Sequence, residues 1–468
     1  MKNTLRNTLV TSISLALLAA CSNDSSDNNQ TDEPTPTQIL VKTIETANTS
    51  GTSAFALPAS DDFSNIPQDP NNLVTAEKVA LGQMLYHETG IATAGVHTDL
   101  TGTWSCASCH HADAGFKAGV TQGMGEGGSG FGTTGVERIL ADGFDKASED
   151  PAFVPDVQPF TSPAVLNVAF QEVMLWNGQF GSMEGGIVNT GLADDVLATP
   201  GTPKAENVRQ LAGIEIQAIA GTAVHRLNMT DNSVLQTNDE YVMMFEAAYP
   251  DGSDDVLEDA GKAIAAYERT ILANQAPFQL WLNGDETAMT EDEIAGATLF
   301  FGKANCVSCH TGPALSSALN ATESEMFMAI GFADFDPNNP QVTGTVSDAD
   351  ARGRGGFTGE IADNFKFKIP QLYNLADTNI FGHGASFTSV RDVIAYKNTA
   401  VPQKVIPMGA LDSRFVPLGL TEEEIDQLTT FLENGLYDPE LGRYKPAALP
   451  TGACFPVADD QSILDLSC

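Results

Sequence analysis

The sequence predicts a mainly α protein built from two related halves, and three observations carry that expectation. Apolar residues recur three and four positions apart in Ala76–Tyr86 and again in Glu293–Phe301, giving each segment one buried helical stripe. Each segment leads into a C-x-x-C-H motif, and the two motifs stand 200 residues apart, a period too long for a solenoid and suited to two domains. Strand-like alternation is scarce along the 468 residues.

Composition sets the outer bounds. With 42% apolar, 18% charged and 7% aromatic residues the chain reads as globular. Sixty-one acidic against 23 basic residues give a net charge of −38, which repels nucleic-acid phosphates and anionic lipid heads and excludes a nucleic-acid partner. The only long apolar run lies at the N-terminus, so no internal membrane span is expected.

That N-terminal run, Thr8 to Ala20 behind Lys2 and Arg6, has the layout of a secretory signal over residues 1–20. Its end, Leu18-Ala19-Ala20-Cys21, resembles the bacterial lipobox, in which the cysteine receives lipid. A plain cleavage site with a chance cysteine is the competing reading, and the polar, Pro-containing stretch that follows favours the lipoprotein. Ser22 then implies an outer-membrane lipoprotein in the periplasm or cell envelope, attached to the membrane only through lipidated Cys21. Residues 21–60 read as a flexible polar tether. Residues 61–284 and 285–447 form the two halves, divided near Asn283-Gly284-Asp285 after a helical Ala260–Trp281 stretch, and 448–468 form a tail.

Seven cysteines remain to be placed. Setting Cys21 aside, six fall into three pairs. Cys106-Ala107-Ser108-Cys109-His110 and Cys306-Val307-Ser308-Cys309-His310 read as covalent haem c attachment, because two thiols three positions apart on a turn reach the two vinyl groups of one porphyrin edge while the histidine meets the iron. A redox dithiol needs no following histidine, and a zinc site needs further nearby ligands. The fold class is thus mainly α, with two cytochrome c-like haem domains and long irregular loops. Cys454 and Cys468 are expected to form a disulfide that pins the tail. The Gly-rich runs Gly123–Gly135 and Arg352–Gly356 read as loops over the cofactors; the first lacks the G-K-[ST] of a phosphate loop.

Ordered stretches extend the pattern: Leu81–Tyr86, Ser105–His110, Ser162–Asn167, Leu175-Trp176-Asn177-Gly178, Ala265–Thr270, Phe301–Cys306, Lys366–Leu372, Phe381–Gly384 and Pro417–Thr421. Together they resemble the bacterial dihaem cytochrome c peroxidases and their MauG-type relatives over most of the mature chain. The resemblance implies that hydrogen peroxide is cleaved at the N-terminal haem, with His110 as proximal ligand, while the C-terminal haem, with His310, relays oxidising equivalents. It also puts Trp176 between the haems, where an indole suits electron hopping; a packed core indole is the alternative.

Departures from the family pattern define the subtype. No histidine lies between His111 and His225, so the loop that carries a second ligand in many relatives has none, and the first haem is expected to be open. His111, next to His110, cannot reach the opposite haem face, and His87 and His97 read as surface or structural histidines. Gln217, Gly221 and His225 share a helical face; Gln217 is the expected peroxide-orienting group, and His225 the acid/base in place of the family's Glu, with a solvent-facing histidine as the alternative. Tyr396 occupies the expected sixth-ligand position of the second haem, resembling MauG-type enzymes, with Met408 as the alternative. A family calcium site has Thr161 where an Asn is usual, beside carbonyls near Ile369-Pro370, so one Ca2+ is a weaker expectation.

The sequence therefore points to an exported peroxidase that takes electrons from a small redox protein or other donor. The first alternative is a MauG-type enzyme that oxidises Trp or Tyr of a partner protein. The second is a dihaem electron carrier without catalysis.

Overall fold

In a computed structural model the chain is described at residues 33–131, 138–141, 155–181, 189, 191–230, 232–339, 341–343, 346–407 and 409–468. Cys21 and Met408 lie outside the described residues.

Helix α1 (Pro36–Ala47) buries Leu40 and Ile44, an i,i+4 pair. It falls inside the segment expected to be a tether to residue 60, so packed structure begins near Pro36 instead. Helix α2 (Ala76–His87) starts at Thr75, whose hydroxyl accepts from Lys78 N, and buries Leu81 and Leu85. Helices α3 (Gly213–Val224), α4 (Asp239–Ala248) and α5 (Val256–Thr270) follow. Both α2 and α3 pack on α5. At the α2–α5 crossing a Cβ on Gly82 would collide with the Ala263 carbonyl, so the close approach requires glycine.

The helical stretch expected to run from Ala260 to Trp281 breaks after Thr270. Asn167 holds the break: its Oδ1 accepts from Ala273 N at 2.9 Å and its own N–H donates to Ile271 O at 2.8 Å.

In the second half, α6 (Glu291–Phe301) opens with a reciprocal Thr290–Glu293 cap. Helices α7 (Val390–Thr399) and α8 (Glu422–Thr430) follow; α6 packs on α8, α8 on α7, and α1 on α6. The segment from Pro36 to Cys468 forms one compact unit. Sheet is confined, among the described residues, to two antiparallel pairs: β1 (Gly128–Ser129) with β2 (Ile139–Leu140), and β3 (Phe327–Met328) with β4 (Phe367–Lys368). This is the helix-rich architecture with little sheet that was expected.

The Arg352–Gly356 run differs from its expectation. Arg354–Thr358 is a short helix, and fully buried Arg354 pairs with Glu323 at 2.6 Å and donates to Asn177 O and Asn189 Oδ1. It braces the loop beside Trp176 and lines neither cavity described below.

Candidate active site

Each C-x-x-C-H motif folds as a single tight turn behind its helix, over Cys106–Ser108 and Cys306–Ser308. The first turn is fastened to the C-terminal tail: Ser105 and Ser108 hydroxyls both donate to Pro456 O, at 2.8 and 2.9 Å. The tail is closed by a Cys454–Cys468 disulfide and by the buried Arg138–Asp459 ion pair at 3.0 Å. None of the four motif cysteines is in a disulfide.

Cys106, Cys109 and His110 line a cavity of about 440 Å3. Burial lowers the His110 pKa to about 4, so the imidazole is neutral, and its buried Nδ1 has no hydrogen-bond partner. Gly123 and Gly125 line the same cavity, as expected for the first Gly-rich run; a Cβ on Gly123 would lie 3.0 Å from Cys109 Sγ. Two thiols and a neutral imidazole facing one roomy cavity are the donor set that a c-type haem needs.

Gln217 and His225 face this cavity from α3 and its C-cap. Gly221 separates them, and a Cβ there would stand 3.6 Å from Gln217 Nε2 and 3.9 Å from His225 Cδ2, so the missing side chain leaves the two groups a shared wall. His225 Nδ1 bonds the buried Asp156 carboxylate at 3.0 Å. Burial by itself depresses the His225 pKa, but the Asp156 charge and hydrogen bond outweigh it, and the net shift is upward.

Sequence reasoning missed Asp156, which is 69 residues away and lies in a segment with no periodicity. It also missed Glu268 of α5, which lines the cavity as a carboxyl group whose pKa is raised to about 8 by burial, with the Glu215 charge adding to the effect. Glu215 is structural, held fully buried by Arg269 at 2.6 Å. His111 and His87 are buried, with ring nitrogens on the Ala118 and Gln83 carbonyls, in keeping with structural roles.

The second motif faces two adjoining cavities of about 200 and 140 Å3. Cys309 and His310 line both, and Cys306 lines the smaller. His310 Nδ1 is engaged by Leu315 O at 2.5 Å, and burial lowers its pKa to about 4, which leaves a neutral Nε2 to bind iron. The residues here also fit a c-type haem.

Trp176 lines both the first cavity and the larger part of the second. Its indole Nε1 donates to Thr161 O at 2.8 Å, and its main-chain carbonyl accepts from Lys368 N at 2.8 Å, so both ring and backbone are tied down. Thr161, the expected calcium ligand, donates its hydroxyl to Gly382 O at 3.1 Å.

Tyr396 departs from its expectation. Its hydroxyl donates to Ile330 O, its ring packs among Phe332, Phe387 and Phe415, and it lines neither part of the second cavity. Burial raises the phenol pKa to about 12, which keeps the group a proton-bearing donor. The next residue, Lys397, lines both parts.

Comparison with known proteins agrees with this geometry. Residues 76–287 match the family model described as di-haem cytochrome c peroxidase. The cytochrome-c peroxidase IdrP1 of Denitromonas iodatirespirans is 26% identical over 447 residues, spanning 88% of this chain and 97% of its own. Methylamine utilization protein MauG of Methylorubrum extorquens is 25% identical over 382 residues, or 80% of this chain and 82% of its own. Among solved structures, a MauG-like protein associated with microbial copper homeostasis shares the fold, with a TM-score of 0.53 at 21% identity over 82% of this chain and 95% of that one. Motifs, fold and matches agree: residues 76–287 match the di-haem cytochrome c peroxidase family model, the chain as a whole is similar to cytochrome-c peroxidases and to MauG, and it is a peroxidase-like haem oxidoreductase.

Proposed function

We propose that the protein reduces hydrogen peroxide in the His110 cavity with electrons that arrive through the His310 site and Trp176. A haem bound at Cys106, Cys109 and His110 supplies the iron at which the peroxide O–O bond is cleaved. The chain's own groups then handle protons and position. His225 Nε2 takes the proton from one peroxide oxygen and returns it to the departing one, which leaves as water, and two electrons from the donor with two protons from solvent release the other oxygen as a second water. Asp156 holds Nδ1–H, fixing the tautomer and the ring orientation. The Gln217 amide orients the peroxide. Trp176, in the wall of both cavities, offers the π system between them.

The observation that carries this reading is the Asp156–His225 pair facing, with Gln217, the cavity that holds the first motif. A pure electron carrier has no use for such a pair. Steady-state peroxide turnover tests it: His225→Ala is expected to lower kcat/KM by about 10²- to 10⁴-fold with two haems per chain retained. Unchanged turnover removes His225 from the mechanism. An as-isolated diferric protein with no high-spin haem removes the open first site.

The likeness to MauG supports a second reading with the same peroxide chemistry, in which a Trp or Tyr of a partner protein supplies the electrons. Mass spectrometry of a candidate partner after peroxide treatment distinguishes the two. We also infer export and lipid attachment at Cys21 from the N-terminal motif; Cys21→Ala should move the protein from the membrane to the soluble fraction. No described helix is long and apolar enough to cross a membrane.

A further inference from the structure

The second cavity contains four lysines, and one of them lacks the kind of partner the other three have. Lys117 Nζ donates to Ile380 O at 3.1 Å, Lys368 to Gln171, and Lys404 to Asp334 and the Ala351 carbonyl. Lys397 makes no hydrogen bond or ion pair with any described residue; its Nζ has only the ring faces of Phe332 and Phe415, at 5.8 and 5.6 Å. The carboxylate of Asp412 is already taken by Arg414 at 2.8 Å.

Position separates Lys397 from the others as well. Lys117, Lys368 and Lys404 line only the larger part of the cavity, whereas Lys397 also lines the part that holds both Cys306 and Cys309. In a c-type haem the thioether edge lies opposite the propionates, so a cation beside the thiols is badly placed to pair with a propionate. A partly buried ammonium whose Nζ meets only ring faces lacks the hydrogen-bond acceptors it needs, whereas the neutral amine carries a lone pair that a Lewis acid in the same cavity can take. Met328, which lines both parts too, has a thioether that rests in an apolar wall at no cost.

We propose that the Lys397 amine is the sixth ligand of the iron held by Cys306, Cys309 and His310. The assignment rests on the dihaem reading above. On ligation the ammonium releases its proton to solvent, and the freed lone pair of Nζ forms the bond to iron. An amine is a harder donor than the thioether expected in typical peroxidases, so it favours the ferric state and sets a lower potential at this haem.

The test uses the purified diferric holoprotein, with haem stoichiometry measured first and electron paramagnetic resonance and near-infrared magnetic circular dichroism after. The wild type is expected to give a low-spin second haem without the sulfur-to-iron charge-transfer band. Lys397→Ala should convert that signal to high spin, and Lys397→Arg, which keeps the charge, should do the same. Lys397→Met should restore a low-spin state with the sulfur band and a raised potential. Met328→Leu and Tyr396→Phe should leave the low-spin signal in place. A sulfur band in the wild type overturns the assignment without any variant. So does a low-spin signal that survives Lys397→Ala in protein with two haems per chain, or one rescued by Arg, which indicates a propionate partner. Fewer than two haems in the wild type overturns the dihaem reading itself.

Discussion

His225 is held against the first cavity by the charge of Asp156, 3.0 Å from its Nδ1, and removing that charge has a definite sign. Burial lowers the pKa of the imidazole and Asp156 more than reverses this, so in the native protein the ring stays protonated to a pH above its ordinary 6.5. Since the neutral ring is the base, kcat/KM for peroxide should rise with pH through that raised value. In Asp156→Asn the burial effect acts unopposed, the acid limb moves to lower pH, and the plateau falls because the ring loses its orientation. An acid limb that does not move means that another group sets it.

Trp176→Phe keeps the packing but raises the oxidation potential of the ring, so it should slow electron transfer between the two sites while leaving peroxide binding intact; rapid-mixing absorbance of each haem measures both. The spacing of Gln217 and His225 was readable because one helix carries both. Asp156 was not, since its approach depends on an irregular chain. Tyr396 shows the opposite difficulty: the helix was legible, but adjacent positions on it point about 100° apart, and the cavity receives residue 397.

At the scale of elements, the helices before the two motifs were legible because stripe, cap and length agree. Thr290 and Glu293 bond each other's backbone at the start of α6. Thr290→Ala should cost about 1 kcal/mol in a denaturant titration of the holoprotein. Gly82→Ala should cost more, about 1–3 kcal/mol, because its methyl group meets the Ala263 carbonyl and α2 must move away from α5. A cost for Gly82→Ala no larger than for Thr290→Ala would mean that the crossing yields easily. Helix α1 escaped the sequence reading because its buried stripe is only Leu40 and Ile44, in a stretch whose composition otherwise suits a tether. The Arg354 helix escaped because five residues with two glycines carry no periodic signal; the hydrogen bonds and ion pair of the buried Arg354 hold it instead.

At the scale of the whole molecule the two C-x-x-C-H turns were legible from the sequence, whereas the packing that joins residues 36–468 into one compact unit was not. Helix α1 packs on α6 of the second half, and the tail returns to fasten the first motif through Pro456. Long-range contacts of this kind leave no periodic mark in the chain. The property that sequence does fix for the molecule as a whole is its charge of −38, and this makes electron delivery sensitive to salt. A field of that sign accelerates encounter with a basic redox protein and slows it with an acidic one. Screening grows as the Debye length contracts from about 30 Å at 0.01 M to about 10 Å at 0.1 M salt. With a basic c-type cytochrome as donor, kcat/KM for the cytochrome should fall across that range. With an acidic one it should rise, while kcat/KM for uncharged hydrogen peroxide stays flat in both cases. If the two cytochromes respond alike, docking is governed by a local patch whose sign differs from that of the whole.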